Sequence, residues 1–552
     1  MKSRTLPCSV SYGNRAPRIT DSRSWASGFY KRTLRERQNI LIQAFPEVFG
    51  RNSLETKSLD MNSLSVYTTP DTSFCRSPIE LLEEKLTKLS TPDFPIRGLS
   101  EEIADNMVEN CVGTIGLPVG LALNFVINDK PIVIPMAIEE PSVIAAASGA
   151  AKTIKKFTAV APEKNMITSQ IAVTNIPESK MDDAITNIQT HKHSIISLAN
   201  TFVPNMIKRG GGVRNITTRR IRRKRNPHPR HVELCQENFT EWLIVHVQID
   251  VCDAMGANCA NAVAEGIAPK IEEITGGKVG LRIVSNFSTE RIVKASFRIP
   301  VSSLGYKTHT GRSVALGIVQ AYEMAQIDPY RATTHNKGIM NGIDAVALAT
   351  GQDWRAIEAG AHAWAACRNE IERYEPLTTY WIEKEERIEE NGQIDDAGLY
   401  LCGEINVPIC VGTAGGVLAT NPVYKYNLGL MGNPNSSELA MAMACVGLAQ
   451  NFAALRALTT EGIQQGHMKL HAKNIVIAAG CPSSAITTVT DKMVDTGRIS
   501  FAAAKDLIET TAKKGMEVIK NGEKNFGEIT ASLECSPSVL VTLWRTEINN
   551  KV

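Results

Sequence analysis

The chain has 552 residues, of which 43% are apolar and 21% are charged, the composition of an ordinary globular protein. This length exceeds what one hydrophobic core usually organises, so two or three domains are expected. A net charge of +3 is too close to neutral to indicate that the whole molecule binds nucleic acid or a membrane surface.

The cysteines and the apolar runs favour a cytoplasmic protein without a membrane anchor. The twelve cysteines form no CxxC pairs, and a chain of this length does not need disulfide bonds for stability. The longest apolar runs, such as 131–138 and 475–480, are far shorter than the roughly 20 residues that span a bilayer.

The N-terminal part of the chain predicts a leader, an insertion and the start of a large domain. Residues 1–24 are polar and are expected to be disordered. A helical spacing covers 29–45, and residues 53–93, rich in Ser, Thr and Pro, are interpreted as an insertion or linker. An apolar strand at about 131–138 then leads into an alanine-rich helix starting near Pro141.

A second unit is predicted between residues 166 and 285. Its strands and helices follow one another in the order β-α-β-β-α-β, which is the ferredoxin-like arrangement. The predicted elements are strand 169–176, helix 181–203, strand 213–218, strand 241–251, helix 257–274 and strand 279–285.

The turn at residues 251–258 is the candidate coenzyme site of this unit. A GxGxxG fingerprint is absent, but here a strand runs into a helix whose N-terminus offers free N–H groups to a pyrophosphate. Gly256 permits close approach of the backbone. Asn258 has an alternative interpretation as the cap of that helix.

The segment from Asp328 to Asp344 concentrates polar side chains among Ile339, Met340 and Ile343. Polar donors at fixed spacing among apolar residues are typical of a pocket for an anionic, carbonyl-bearing substrate. Its two glycines are expected to let the backbone come close to a ligand. The alternative interpretation is a polar turn between two elements.

His467 and His471 have a spacing that zinc sites use. However, the HExxH motif is absent and no third ligand is indicated, so no metal is predicted.

Together with the segment 331–344, five further motifs occur in the order found in one enzyme family. They are Glu109-Asn-Cys-Val-Gly113, Pro135-Met-Ala-Ile-Glu-Glu-Pro-Ser142, Asp253-Ala-Met-Gly-Ala-Asn258, Gly351-Gln-Asp-Trp-Arg355 and Gly466-His467. From roughly Gly28 to about Asn521 the chain resembles the soluble, bacterial-type class II 3-hydroxy-3-methylglutaryl-CoA (HMG-CoA) reductases.

The resemblance implies an α+β protein in which a large α/β substrate-binding domain contains an inserted ferredoxin-like cofactor-binding small domain and ends in a helical C-terminal flap. It also implies a homodimer, or a higher assembly of dimers, with active sites at the subunit interface, because Glu109-Asn110 matches the family's dimer motif. The expected boundaries are a leader at 1–24, the large domain at 25–165 and 286–460, the small domain at 166–285, the flap at 461–523 and an extra tail at 524–552.

The implied reaction is the two-step reduction of HMG-CoA to mevalonate and free CoA, with the hydrides supplied by a nicotinamide coenzyme. The resemblance makes Lys337 the oxyanion stabiliser, Glu140 a proton donor, Asp353 their partner in a coupled network, and His467 the proton donor to the CoA thiolate. Each of the first three also has a structural interpretation: a solvated lysine, a charge in a first helical turn, and a helix N-cap.

The binding residues follow from the same matches. Arg331 is expected to grip the HMG carboxylate with its planar fork. The other substrate contacts implied are Ser142, Thr334, Asn341 and Gln450. The coenzyme contacts implied are Asp253, Met255, Gly256, Ala257, Asn258 and Asn286.

The coenzyme preference is read from Val203, which occupies a position where NAD-preferring members carry an aspartate. Without that carboxylate a 2′-phosphate is not repelled, and Lys208 or Arg209 can attract it. NADPH and mevalonate synthesis are therefore favoured, with NADH as the other coenzyme. NAD-linked oxidation of mevalonate to HMG-CoA is the alternative function.

The basic run Arg219–Arg225 supports a third, least favoured hypothesis, that of a non-enzymatic nucleic-acid-binding or scaffold protein. Such a run is more often a solvated hairpin. Because all four implied catalytic residues are present, nucleic acid is not the expected partner.

Overall fold

The computed structural model describes residues 29–45, 98–222, 241–368, 373–384, 398–415, 418, 420–482 and 485–520. The predicted leader at 1–24, the insertion at 53–93, the tail at 524–552 and the end of the basic run lie outside the described residues.

The described chain alternates helices and strands. Its strands are β1 Val119–Ile127, β2 Lys130–Ala137, β3 Thr158–Val160, β4 Met166–Thr174, β5 Gly212–Arg222, β6 Glu241–Asp250, β7 Lys278–Val284, β8 Ile292–Pro300, β9 Thr378–Lys384 and β10 Leu399–Pro408. Its α-helices are α1 Leu34–Ala44, α2 Glu101–Met107, α3 Val143–Ile154, α4 Met181–Thr190, α5 Lys192–Thr201, α6 Pro204–Lys208, α7 Ala257–Thr275, α8 Gly311–Ile327, α9 Pro329–Ala349, α10 Trp354–Cys367, α11 Pro422–Leu430, α12 Ser436–Leu458, α13 Ile463–Ala478, α14 Ile486–Asp495 and α15 Phe501–Lys520.

The largest core is built on the antiparallel sheet β3-β8-β10-β9. Along β8, Val293, Ala295, Phe297 and Ile299 are buried while the residues between them are more exposed, because successive side chains of a strand point to opposite faces. Helices α9 and α12 pack into the same core.

Helix α12 corrects an expectation about apolar runs. It is the one described helix that is long and apolar enough to cross a bilayer, a run that the sequence analysis overlooked. However, 83% of its most apolar window is buried inside the protein, as in the core helix of a globular domain. Its start is set by a capping box, in which Asn435 Oδ1 accepts from Glu438 N at 2.8 Å and Glu438 Oε2 accepts from Asn435 N at 3.1 Å.

One of the two glycines of α9, Gly342, serves helix packing. A Cβ atom on Gly342 would lie 3.1 Å from Val446 Cγ1, and one on Gly447 would lie 2.9 Å from Ile343 Cγ1. These two positions let α9 and α12 approach closely. The expectation that both glycines of α9 face a ligand is therefore wrong for Gly342, while around Gly338 the space is open.

The hairpin β1–β2 determines the position of Glu140, which follows β2 by three residues. Its turn residues Asn128 and Asp129 both have positive φ, 47° and 66°, as a two-residue type I′ hairpin requires. Beyond β2 the chain turns at Glu140 and Pro141. Helix α3 starts at Val143 rather than near Pro141, because Ser142 has the left-handed φ of 75°.

Residues 166–284 form a separate antiparallel sheet, β5-β6-β4-β7, with its own apolar core against α4, α5 and α7. The predicted helix 181–203 is two helices, because the chain breaks at His191 with ψ 6°. The predicted strand 213–218 extends to Arg222 and includes the start of the basic run. There Arg220 contacts Glu241 and lies 3.3 Å from Asp182.

The C-terminal helices α13, α14 and α15 share a small apolar cluster that includes Ala472, Val476, Val489, Met493 and Ala504. This cluster is distinct from the two larger cores.

Candidate active site

The polar segment 328–344 is neither a loop nor a turn; most of it belongs to the 21-residue helix α9. Asp328 caps the helix by accepting from Tyr330 N at 3.1 Å, and Pro329 occupies the first helical position. Arg331, Thr334, Lys337 and Asn341 recur every three or four residues and so share one face of the helix.

Lys337 and Glu140 come together from distant parts of the sequence. Lys337 Nζ donates to Glu140 Oε2 at 2.8 Å, and Asn341 Nδ2 donates to the same oxygen at 3.3 Å. The carboxylate at the end of the β1–β2 hairpin is thus held by two donors one helical turn apart. The structure therefore brings a carboxylate and a cation to one place.

The pair is open to solvent in a single chain. The Lys337 side chain is 60% exposed and that of Glu140 is 38% exposed. The neighbouring Ile339 and Met340 side chains therefore do not shield the lysine from water. An ammonium group stabilises an oxyanion strongly only where water is excluded, so the predicted role of Lys337 requires another element to cover the site.

Two polar residues of the segment anchor the helix. Asn336 donates to Glu375 O and accepts from Leu377 N, both at 2.9 Å. His335 Nε2 lies 2.6 Å from Thr378 Oγ1, and that hydroxyl donates to Asn451 Oδ1 at 3.1 Å. The hydroxyl therefore accepts from His335, which sets the proton on Nε2.

Burial keeps His335 neutral. The residue is 1% exposed, and burial, followed by the charge of Arg331, lowers the pKa of its imidazole to about 3. The predicted pocket in the segment 328–344 therefore does not include His335, because polarity alone does not distinguish a ligand contact from a buried anchor.

Asp344 and Glu358 connect α9 with α10. Burial, followed by the neighbouring Glu358 carboxylate, raises the pKa of Asp344 to about 8. The Asp344 carboxyl group therefore keeps its proton at neutral pH.

Among the substrate-binding residues implied by the resemblance, Arg331, Thr334 and Asn341 share the Lys337 face of α9, and Gln450 lies on α12 beside Gly342. Burial lowers the pKa of the half-buried Arg331 guanidinium. Thr334 Oγ1 donates to Tyr330 O at 3.2 Å. Gln450 on α12 is 7% exposed, and its Oε1 atom has no hydrogen-bond partner among the described residues, so it can still accept from a ligand.

Asp353 and His467 lie on different helices. Asp353 is the N-cap of α10: its Oδ1 accepts from Ala356 N at 3.1 Å and lies 3.1 Å from an Arg355 nitrogen. The structural interpretation of Asp353 is thus correct, without excluding a catalytic role. His467 lies in α13, and its side chain is outside the described part of the structure.

The candidate coenzyme turn ends in a helix N-terminus. Helix α7 starts at Ala257, and its N-cap is Gly256 with a left-handed φ of 100°. Asn258 is therefore not the cap; it is exposed in the first turn of the helix. Met255, before the cap, and Ala257, at the start of the helix, are half-buried. Asp253 Oδ1 accepts from Ser436 N at 3.0 Å and from Ser436 Oγ at 2.9 Å, so this carboxylate is engaged at the start of α12.

A segment that the sequence reasoning missed lies against this turn. Thr413 N and Ala414 N donate to Asp253 O at 2.8 and 3.1 Å. A cavity of about 310 Å³ lies beside this contact, lined by Asp253, Thr413, Leu428, Asn433, Pro434 and Asn435. The only signal in the sequence was the run Gly412-Thr-Ala-Gly415, which is too short to be specific.

Arg291 joins the two sheets' cores at the same place and was also missed. It is 2% exposed, and its guanidinium donates to Val411 O at 2.7 Å, Asn165 Oδ1 at 3.2 Å and Met255 O at 3.4 Å. These acceptors are uncharged, so the buried cation is stabilised by carbonyl dipoles. It ties the coenzyme turn to the strand exit at Val411.

Among the described residues, no group of three or more His, Cys, Asp or Glu side chains is placed to hold a metal ion. The eight cysteines in that part of the chain are all unpaired.

A lysine–carboxylate pair and a separate unit that presents a helix N-terminus are features that a nucleotide-dependent oxidoreductase uses. Comparison with known proteins agrees with this class. The model of the family described as hydroxymethylglutaryl-coenzyme A reductase matches residues 76–472.

Individual relatives carry the same name. The HMG-CoA reductase of Archaeoglobus fulgidus is 43% identical over 416 residues, which is 75% of this chain and 86% of the relative. A probable HMG-CoA reductase of Borreliella burgdorferi is 33% identical over 421 residues, which is 76% of this chain and 89% of the relative.

Solved structures of Streptococcus pneumoniae HMG-CoA reductase share the fold. One has a TM-score of 0.63 at 33% identity, covering 88% of this chain and 99% of that one. Another, the class II enzyme bound to NADPH in open conformations, has a TM-score of 0.62 at 34% identity, covering 79% and 100%. The chain belongs to the hydroxymethylglutaryl-CoA reductase family, and the expected resemblance to class II is confirmed.

Proposed function

We propose that this chain reduces the thioester of HMG-CoA to mevalonate and free CoA with NADPH, in the mevalonate route to isoprenoids. The observation that carries the proposal is the pair Lys337–Glu140, joined at 2.8 Å and held by Asn341, in a member of this family. It supplies a cation for the carbonyl oxygen and a carboxyl group for proton transfer at one place.

The chain's own residues manage charge and protons. Lys337 Nζ stabilises the negative charge that develops on the thioester oxygen, and Glu140 supplies the proton that this oxygen takes up. His467, on the C-terminal helices, protonates the departing CoA thiolate, as a lid residue can. Asp353 completes the network with Lys337 and Glu140, as the resemblance implies.

The residues present fit a nicotinamide coenzyme, whose chemistry when bound is hydride donation. Helix α7 offers its free N–H groups behind Gly256, in the βαββαβ unit 166–284 that we assign as a ferredoxin-like cofactor-binding domain. Asp253, Met255, Ala257, Asn258 and Asn286 complete the proposed coenzyme contacts. A relative of known structure has NADPH bound.

The preference for the 2′-phosphate is assigned to Lys208 and Arg209. The Cys252 thiol lies 3.5 Å from Arg209 O. The end of α6, which carries Lys208 and Arg209, therefore lies beside the coenzyme turn. Val203 is 7% exposed in the small core, so no carboxylate at that position repels the phosphate.

The substrate is held from helix α9 and its surroundings. Arg331 pairs with the HMG carboxylate, and Ser142, Thr334, Asn341 and Gln450 contact the remainder. The unsatisfied buried Gln450 Oε1 supports this assignment, because a buried acceptor normally finds a partner.

The active unit is assigned as a cytoplasmic homodimer or an assembly of dimers, with the sites at the subunit interface. The extended segment after Glu109-Asn110 exposes Val112 by 103% and Ile115 by 94%. Apolar side chains this exposed favour an interface. A partner subunit and the flap at 461–523 would exclude water from Lys337.

The NAD-linked oxidation of mevalonate is the disfavoured alternative. The nucleic-acid hypothesis loses support from Arg220, whose charge is compensated by Glu241 and Asp182 within the sheet.

The experiment is HMG-CoA-dependent loss of reduced-nicotinamide absorbance, measured with NADPH and NADH side by side, with Lys337→Met as the inactive control. We expect turnover that favours NADPH. Turnover favouring NADH would overturn the coenzyme assignment, and no turnover of folded protein with either would overturn the function.

A further inference from the structure

Gln352 lies at the corner between α9 and α10, immediately before Asp353. Its amide is held at both ends: Nε2 donates to Thr350 O at 2.9 Å, and Oε1 accepts from Gly412 N at 2.9 Å. Its backbone N–H donates to Ala347 O at 2.9 Å. These bonds fix the orientation of the Gln352 side chain, which reaches the segment that follows β10 at Gly412.

On its other side, the segment that follows β10 contacts the coenzyme turn at residues 253–255. A Cβ atom on Gly412 would lie 2.3 Å from Met255 N, so only a glycine fits there. Asp253 O accepts from the next two backbone N–H groups, those of Thr413 and Ala414. Residues 412–414 are thus clamped between the coenzyme turn and Gln352.

We propose that Gln352 is a positioning residue for hydride transfer, which sets the distance between the coenzyme turn and the catalytic corner that carries Asp353. The inference rests on the proposed function. Helix α10 adds a second contact of the same kind, because a Cβ on Gly360 would lie 2.8 Å from Asn286 O. At Gly412 and at Gly360, backbone segments meet without room for a side chain. The distance between the coenzyme turn and α10 is therefore sensitive to the hydrogen bond between Gln352 Oε1 and Gly412 N.

The test replaces Gln352 with methionine, which keeps the length of the side chain but cannot accept from Gly412 N. A displacement on the order of 1 Å between reacting groups lowers a rate by about 100-fold, so kcat is expected to fall by about 30- to 100-fold. The KM for HMG-CoA should change by less than about threefold, because Arg331 and Thr334 lie at the far end of α9.

Two further readouts separate positioning from a purely structural role. With NADPH deuterated at the transferred position, the isotope effect on kcat should rise, because hydride transfer becomes rate-limiting. Fluorescence titration of NADPH without HMG-CoA should give a Kd within roughly threefold of the wild type, because Ser436 still holds Asp253. Thermal unfolding checks that the variant is folded.

Gln352→Glu retains an acceptor for Gly412 N but loses the donor to Thr350 O, so it should recover part of the lost kcat, by at least about threefold. Gln326→Met, the same change at an exposed glutamine at the end of α8, is the matched control and should behave as the wild type. A Gln352→Met enzyme with wild-type kcat and isotope effect, or one that loses only thermal stability, would overturn the inference. Absence of turnover in the wild type would instead overturn the proposed function, and the inference with it.

Discussion

At the scale of single residues, the pair Lys337–Glu140 shows that a motif predicts the identity of site residues but not their exposure to solvent. Both residues were predicted from the resemblance, 197 positions apart, and the structure places Nζ and Oε2 2.8 Å from each other. Their exposure was not predictable, since it depends on which elements lie above the site. His335 shows the converse: a residue that looks functional by its polarity can be a buried anchor.

Glu140→Gln removes the proton but keeps the shape and one acceptor oxygen for Lys337. General acid catalysis contributes about 100- to 10,000-fold, so kcat is expected to fall by at least about 100-fold. The KM for HMG-CoA should change little, and steady-state kinetics measures both. Glu139→Gln, the change at the adjacent exposed carboxylate, is the control and should leave kcat within about twofold. Equal effects of the two changes would contradict the proton-donor assignment.

At the scale of elements, contacts between backbone segments decide the architecture. Gly342 and Gly447 bring α9 and α12 together, and Gly412 brings the exit of β10 against the coenzyme turn. A sequence shows a glycine but not the neighbour it accommodates, which is why the glycines of α9 were assigned to a ligand.

The carboxyl pair between α9 and α10 predicts a pH-dependent stability. The folded-state pKa of Asp344 is raised from 3.8 to about 8, so the folded form keeps a proton that the unfolded form has lost. This contribution is complete below the unfolded pKa and is lost as the pH rises through the folded pKa, which places the loss between about 4 and 8.

Asp344→Asn keeps a donor for Glu358 and removes the titration. The advantage in Tm of this variant over the wild type is therefore expected to grow as the pH is raised from 5 to 8, as followed by thermal unfolding. Asp105→Asn, at an exposed carboxylate of α2, should show no such trend. A wild type and an Asp344→Asn variant with parallel pH profiles would refute the raised pKa of Asp344.

At the scale of the whole molecule, a single chain does not complete its own site. Lys337 is 60% exposed, and Val112 and Ile115 project from an extended segment without a core of their own. Both observations support the proposed assembly, in which a second copy would cover the site and receive this segment.

The double change Val112→Asp and Ile115→Asp tests the assembly. Light scattering is expected to show a shift from dimer to monomer. Most of the turnover should also be lost, because water then reaches Lys337. Leu281→Asp, at a residue 69% exposed on the small sheet, is the control and should preserve the assembly. A monomeric wild type with full activity would rule out an interfacial site.

The sequence by itself determined the family, the chemistry and the order of the small unit's strands, because motifs and alternating apolar residues are local patterns. It also placed Arg331, Thr334, Lys337 and Asn341 in one short segment. Only the tertiary structure decided that this segment is a helix, that His335 and Asn336 are buried anchors, and that Gln352 and Gly412 connect the coenzyme turn to Asp353. Those facts depend on what lies opposite each residue, and contacts between residues far apart in sequence leave no local pattern.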